Sequence, residues 1–157
     1  MHRYERSVVI AAPVETVFRF HDDTRNLSRI TPPGVKVKVL GTSGPEGKGK
    51  QIRLRMTQFG FLSNELLIEF VRYDPPRFLV DEQKEGPFRF WRQTRIFEPV
   101  ELGTKLTDIV EYQAPFGAFG RLAVALLIGP RVAAMFEYRQ RRTKEILESG
   151  DWAISGA

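Results

Sequence analysis

The 157-residue chain is 42% hydrophobic and 27% charged, with 24 Lys and Arg against 19 Asp and Glu and no cysteine. The lack of cysteine excludes disulfides and thiolate chemistry, and the longest apolar run, LAVALLI at 122–128, is too short to span a bilayer. The first residues, MHRYERSVVI, lack the apolar core of a signal peptide. We therefore expect a cytoplasmic protein with a single domain over 1–149 and a flexible tail over 150–157.

The net charge of +5 raises the question of a nucleic-acid partner. Basic residues are interleaved with acidic ones along the chain, so the sequence predicts no such partner. The one dense basic cluster precedes Glu145 and Glu148, a spacing typical of ion pairs on a solvated helix face. That cluster, which is compatible with weak peripheral membrane contact, consists of Arg139, Arg141, Arg142 and Lys144.

The N-terminal segment predicts one strand followed by two short helices. Residues 3–11 read as a strand with an apolar face. Pro13 fits the first turn of a helix, and the apolar residues of VETVFRF recur at helical spacing. A second short helix is predicted over 24–30, with Asp23 or Thr24 as its cap, and TPPG ends it.

Six further segments alternate like strands, with short turn-rich stretches between them. They begin near residues 35, 51, 64, 77, 90 and 105. Consecutive strands with short turns predict an antiparallel meander. A turn near Phe61 places Leu54 opposite Ile68 and Arg53 opposite Glu69, a favourable cross-strand pair.

From about Phe116 to Leu147 the apolar residues recur at helical spacing, which predicts a long last helix. Gly129-Pro130 should kink or break this helix. The apolar face of the sheet needs a cover, and the last helix is the element available to supply it. The complete order is one strand, two short helices, six strands and a long helix, which defines an α+β fold.

This order, with two stretches of sequence, resembles the START/Bet v 1-like (SRPBCC) superfamily, and most of all its bacterial cyclase/dehydrase-like, ligand-binding branch. The stretches are SVVIAAPVETVFRFHDDTRNLSRITPPGVKV and GPFRFWRQTRIFEPVELGTKLTDIVEYQAPFGAFGRLA. The resemblance implies a helix-grip fold, in which a curved antiparallel seven-stranded sheet wraps around the last helix and encloses a cavity. Members bind lipids, sterols, quinones, polyketides and plant hormones, and some are enzymes. Relatives often carry histidines where this chain has Gln93 and Arg95.

The hairpin of strands six and seven carries most candidate site residues. One register of this hairpin sets an aromatic pair and an opposite-charge pair directly across from each other, which favours it. Its four cross-strand pairs are Trp91–Tyr112, Gln93–Val110, Arg95–Asp108 and Phe97–Leu106. We assign this more apolar face to the interior, where Arg95 and Asp108 should form a buried salt bridge. Phe88 and Phe90 fall on the other face unless a bulge re-aims them. The predicted ligand-binding residues are Phe18, Trp91, Gln93, Arg95, Phe97, Asp108, Val110, Tyr112 and Phe136.

Two main functions remain open. In the first, the cavity binds or carries a hydrophobic small molecule, such as a lipid, a quinone or a polyketide-like compound, and Gln93, Arg95 and Tyr112 orient it. In the second, the protein is an aromatic polyketide cyclase or dehydratase, with Arg95, Asp108 and Tyr112 as catalytic candidates. His21 is expected in a solvated loop, so no cavity histidine is evident and the sequence favours binding.

A third alternative is a membrane-surface accessory or interaction protein that uses the basic last helix. The HDD segment at 21–23 lacks the spacing of known metal sites, so no metal is predicted, and no cofactor is expected. The protein is expected to be a monomer or a homodimer. The sequence does not name the ligand.

Overall fold

Alternating apolar and polar residues form seven strands in one antiparallel sheet, as predicted. The computed structural model describes residues 1–58 and 60–150, so the tail predicted over 150–157 lies outside the described residues apart from Gly150. The strands are β1 (His2–Ile10), β2 (Val35–Ser43), β3 (Gln51–Gln58), β4 (Leu62–Asp74), β5 (Phe78–Glu85), β6 (Phe90–Val100) and β7 (Gly103–Gln113). Their order in the sheet is β1-β7-β6-β5-β4-β3-β2.

Two short helical elements follow β1. Helix α1 (Val14–Asp22) begins directly after Pro13. The predicted second helix is a pair of 3₁₀ turns, Thr24–Asn26 and Ser28–Ile30. Asp23 caps the first of them, because its carboxylate accepts a hydrogen bond from the Arg25 backbone N–H at 3.0 Å.

Of the kink or break predicted at Gly129-Pro130, the break does not occur: the helix continues, and the irregularity takes the form of a π-helical turn directly before Gly129. The last helix comprises α2 (Gly117–Ala123), a π-helical turn (Val124–Ile128) and α3 (Gly129–Ser149). The wider π turn absorbs the irregularity. Pro130, which has no backbone N–H to donate, follows this π turn as the second residue of α3.

The inner face of α3 packs against the sheet and closes the core. Its buried positions recur every three or four residues: Val132, Phe136, Gln140, Thr143, Ile146 and Leu147. Two apolar clusters result. One gathers Phe18, Phe97 and Leu147 around α1, and the other gathers Val110, Tyr112 and Phe136 beneath the π turn. This arrangement is the helix-grip fold.

The strand registers confirm one prediction and correct another. The β6–β7 hairpin pairs Arg95 with Asp108 as predicted. In the β3–β4 hairpin, Arg53 faces Leu67 and not Glu69, and its ion-pair partner is Glu85 at 3.0 Å. The turn needs a residue with positive φ, which Gly60 supplies at 77°. The resulting shift of two residues keeps the same side chains on the inner face.

Candidate functional site

A cavity of about 510 Å³ lies between the inner face of the sheet and the last helix. Alternate residues of two neighbouring strands supply one apolar wall: Ile52, Leu54 and Met56 from β3, and Leu66, Ile68 and Phe70 from β4. Val132 and Met135 of α3 lie on the opposite wall. Because strand side chains alternate between faces, three inward positions on each strand are enough to make this wall apolar.

One end of the cavity is polar. Four elements each bring charged or hydrogen-bonding side chains there: His21 from α1, Asp81 from β5, Gln93 and Arg95 from β6, and Arg139 from α3. We call these five residues the polar end. A small void of about 10 Å³ lies behind them, roughly the space of one water molecule.

The buried ion pair at the polar end is Arg95 with Asp81, which corrects the predicted pair of Arg95 with Asp108. Arg95 Nη1 lies 3.0 Å from Asp81 Oδ2, although the backbone of Arg95 pairs with that of Asp108. The side chain reaches its diagonal neighbour on β5 instead of the residue directly opposite on β7. Burial raises the pKa of Asp81, and the charge of Arg95 opposes that rise.

Asp108 is hydrogen-bonded by two amides. Gln93 Nε2 donates to its Oδ1 at 3.2 Å, and Gln140 Nε2 donates to its Oδ2 at 2.9 Å. Asp108 is 4% exposed and borders only the small void. Its carboxylate is therefore satisfied behind the polar end and does not face the main cavity.

His21 lines the cavity, so the expectation of a solvated loop is wrong. A carbonyl oxygen can only accept, so Nδ1 donates to the Val17 carbonyl at 2.9 Å and Nε2 carries the lone pair of the neutral ring. Burial, followed by the charge of Arg95, lowers the pKa of His21 to about 4. The signal was available in the sequence, because His21 follows Val17 and Phe18 at helical spacing on the buried face of α1.

Arg139 also lines the cavity, although the sequence assigned it to a solvated face. It lies one turn after Met135 on the inward stripe of α3, and its guanidinium carbon is 5.2 Å from the centre of the Phe136 ring. Burial and the charge of Arg95 lower its pKa to about 10. Its Nε atom is buried, and no described residue accepts a hydrogen bond from it.

The other members of the basic cluster behave as predicted. Arg142 pairs with Glu145 at 2.9 Å, and Lys144 pairs with Glu148 at 2.7 Å. Helical spacing separates Arg139 from them, because it stands on the side of α3 that faces the sheet.

The predicted ligand-binding residues divide into two groups. Trp91, Gln93 and Arg95 lie in the cavity wall. The remaining side chains are placed elsewhere: Asp108 at the small void, and Phe18, Phe97, Val110, Tyr112 and Phe136 in the two core clusters. Of the catalytic candidates, only Arg95 therefore faces the cavity. A role for any of these residues in ligand binding stays a prediction.

Tyr112 supports the cavity wall from behind. Its ring centre lies 5.6 Å from that of Trp91 and 5.8 Å from that of Phe88. Phe88 precedes β6, so it escapes the strand alternation and joins the wall, while Phe90 stays on the outer face beneath Arg92. Of the two residues that the sequence placed on the other face unless re-aimed, Phe88 is therefore the one that turns inward.

The opposite end of the cavity reaches an exposed apolar surface. Leu62 and Leu127 line the cavity and are 50% and 62% exposed. Nearby along the β3–β4 turn and the last helix stand further exposed apolar side chains. We call the exposed apolar side chains of these two segments the mouth patch: Phe61, Leu62, Phe119, Leu122, Leu126 and Leu127. The side chains of Gln58 and Arg131 meet across this end at 3.5 Å.

The last helix is apolar enough over part of its length to be compared with a membrane span. Within Gly117–Ser149, an 18-residue window has a mean hydropathy of 1.5, and 22% of that window is buried. By length and composition alone, this stretch is long and apolar enough to cross a membrane. The sequence from 112 to 136 contains two arginines and no acidic residue.

The HDD segment at 21–23 has ordinary partners. Asp22 accepts a hydrogen bond from the Tyr73 hydroxyl at 2.8 Å, and Asp23 pairs with Arg25 at 2.7 Å. Within residues 1–58 and 60–150, no group of three or more His, Asp or Glu side chains is arranged to hold a metal ion.

Comparison with known proteins places the chain in a family. Residues 1–148 match the family described as polyketide cyclase/dehydrase and lipid transport, and the chain belongs to it. This agrees with the START/Bet v 1-like resemblance of the sequence. No curated protein is significantly similar to the chain.

Solved structures share the fold at low sequence identity. A Chromobacterium violaceum protein has a TM-score of 0.76 at 16% identity, covering 94% of this chain and 99% of its own. A Thermus thermophilus protein has a TM-score of 0.73 at 23% identity, covering 94% and 97%. A START superfamily protein from Mycobacterium smegmatis has a TM-score of 0.73 at 16% identity, covering 95% and 99%. At these identities the likeness shows the fold alone.

Proposed function

We propose that the protein binds or carries a hydrophobic small molecule in the cavity between the sheet and the last helix. The observation that carries the proposal is the cavity itself. Its volume of about 510 Å³ falls within the range of roughly 300–1,000 Å³ typical of small-molecule sites. Much of its wall is apolar, and five of its polar side chains converge at the polar end, a combination typical of such a site.

A cavity-filling variant tests the proposal. Met135→Trp adds volume to a side chain of the cavity wall, whereas Tyr138→Trp changes the same helix at a position outside that wall. The neutral dye Nile red, read by its own fluorescence, should bind the wild type and Tyr138→Trp alike. Its affinity for Met135→Trp should fall about tenfold or more. Equal binding to all three proteins would place the dye outside the cavity and contradict the proposal.

The mouth patch is the surface through which we expect the ligand to enter, and a lipid bilayer is its proposed partner. Its apolar side chains occur beside Arg121 and Arg131, on a stretch of chain without acidic residues. An apolar surface flanked by cations suits the interface of a membrane that contains anionic lipids. The mouth patch is a different candidate contact from the basic cluster near the C-terminus, in which Arg142 and Lys144 are ion-paired.

Vesicle co-sedimentation tests this contact. Phe119→Glu and Leu126→Glu should each reduce binding to phosphatidylglycerol-containing vesicles. Leu102→Glu is the matched control, because Leu102 is 76% exposed and the β6–β7 turn lies at the opposite end of the sheet from the β3–β4 turn. Equal retention of all three variants, or no wild-type binding in low salt, would refute the membrane contact and leave the cavity proposal intact.

Polyketide cyclase or dehydratase activity is the second candidate function. The observation that favours it is His21, whose Nε2 lone pair belongs to a ring in the cavity wall. A pKa of about 4 makes this ring a weak base at neutral pH, which is why binding remains the first proposal. Conversion of a poly-β-ketone analogue by the wild type, lost in His21→Asn, would reverse that order.

A further inference from the structure

We infer that the ligand carries a single carboxylate, which lies at the polar end of the cavity and is bound there by Arg139. This inference rests on the proposed cavity function and names the chemical class of its ligand. Among the charged groups at the polar end, the hydrogen bonds leave one cation, Arg139, without an acidic partner among the described residues.

Three of the four charged side chains near the polar end already have hydrogen-bonded partners. Arg95 donates to Asp81, and Asp108 accepts from two amides. Arg139 differs from them. No described acidic oxygen lies within 4.0 Å of its guanidinium, and its buried Nε atom has no acceptor among the described residues.

An unmatched buried guanidinium is unfavourable in the empty protein. Removing water from it costs free energy that only hydrogen bonds and an opposite charge return. Its lowered pKa reflects the same cost. A carboxylate is the group that restores both, since it accepts two hydrogen bonds from a guanidinium in a planar, bidentate arrangement.

The charges already present at the polar end disfavour a ligand with more than one negative charge. Arg95 and Arg139 are formally balanced by Asp81 and Asp108, so each added anionic charge is repelled by two carboxylates as well as attracted by two cations. A phosphate monoester carries about −1.5 to −2 at neutral pH. It is therefore expected to bind less well than a carboxylate on the same chain.

The rest of the cavity suits an apolar chain attached to that carboxylate. The apolar walls of β3, β4 and α3 extend from the polar end towards Leu62 and Leu127 at the mouth. A molecule with its carboxylate at Arg139 would place its hydrocarbon against these walls and its far end at the mouth patch.

Calorimetric titration with three ligands of one chain length tests the inference. Dodecanoate, dodecanol and dodecyl phosphate are each used below the critical micelle concentration at pH 7. The wild type should bind dodecanoate most tightly. Arg139→Gln should weaken dodecanoate about tenfold or more, since hydrogen bonds to charged groups are worth at least that factor. Its affinity for dodecanol should be unchanged.

Two further variants keep the test decisive. Arg142→Gln removes a charge from the exposed side of the same helix and should leave all three affinities unchanged. Arg139→Lys keeps the charge without the planar fork, so it should fall between the wild type and Arg139→Gln even if the latter folds poorly.

The outcomes separate this inference from the proposed function. Equal wild-type affinity for dodecanoate and dodecanol, or an equal loss of both in Arg139→Gln, would overturn the carboxylate while the cavity function stands. Tighter binding of dodecyl phosphate would overturn the limit of one negative charge. Failure of the wild type to bind any of the three ligands would contradict the cavity function and this inference together.

Discussion

The Arg95–Asp81 pair should behave as a coupled unit in the stability of the fold. Both side chains are largely removed from water, at 13% and 7% exposure, and their atoms meet at 3.0 Å. Arg95→Met leaves the Asp81 carboxylate buried and unpaired, which should cost about 3–5 kcal/mol. Asp81→Leu should cost a similar amount because it leaves Arg95 unpaired. The double variant should recover much of that loss, because both desolvation penalties disappear together.

Protonation limits the cost of the single arginine variant. Burial already raises the pKa of Asp81, and loss of Arg95 raises it further. A carboxyl group whose pKa is higher in the folded state than in the unfolded state stabilises the fold as the pH falls through its folded-state pKa. The deficit of Arg95→Met should therefore be larger at pH 7 than at pH 5.

Urea unfolding of the wild type, both single variants and the double variant gives the coupling free energy. The matched control is Arg55–Glu65, a cross-strand pair at 2.9 Å whose side chains are 45% and 50% exposed. Its coupling should be about 0.2–1 kcal/mol. Coupling of Arg95 with Asp81 that does not exceed this control would refute the buried ion pair. Strong coupling of Arg95 with Asp108 in its place would restore the partner expected from the sequence.

Three further predictions concern the same framework. Because the pKa of His21 is lowered in the folded state, the unfolded chain takes up the proton first as the pH falls. The free energy of unfolding should be full above about pH 6.5 and fall by about 3 kcal/mol as the pH drops to about 4. His21→Asn should flatten this part of the urea-derived pH profile, and an unchanged slope would contradict the burial of the ring. Arg139→Met should match or exceed the wild-type stability in urea, because it removes an unmatched buried charge, and a loss of several kcal/mol would instead assign Arg139 a structural role. In thermal melts, Gly103→Ala should lower the free energy of unfolding by more than about 1 kcal/mol, because φ is 142° and a Cβ would overlap the Ile10 carbonyl oxygen. Gly34→Ala is the control: it has open space around it, so its change should stay within about 0.5 kcal/mol.

Much of the fold could be predicted from the sequence because it depends on local patterns. Alternation defined the strands, and the two-residue period fixed which side chains of β6 and β7 face inward. The β6–β7 register followed from pairing opposite charges and aromatic rings. The β3–β4 register differs by two residues from the expected one, because the turn centres on Gly60, which supplies the positive φ, and not near Phe61.

The polar end was harder to predict because its residues come from four separate elements. The pairing of β5 with β6 brings Asp81 within reach of Arg95, a contact that the β6–β7 register alone does not predict. His21 and Arg139 were assigned to solvent because each stands beside charged neighbours in the chain. Helical spacing from Phe18 and from Phe136 was the available signal that both face inward. Charged neighbours along the chain indicate solvent exposure for both residues, whereas the neighbours on the same helix face are buried and apolar and indicate an inward position.

The hydrogen-bond pattern supports the proposal that the polar end binds a ligand in addition to its structural role. A buried network that serves the fold alone is expected to satisfy its members, as Arg95 with Asp81 and Asp108 with its two amides do. Two atoms of this network depart from that rule, Gln140 Oε1 and Arg139 Nε, which have no hydrogen-bond partner among the described residues. Of these two residues, only Arg139 borders the main cavity. His21 is similar, because one nitrogen is held by the backbone while the ring lines the same space. The two groups offer a donor and an acceptor at a single place, and a ligand that fills the apolar cavity would bring its own polar atoms to that place.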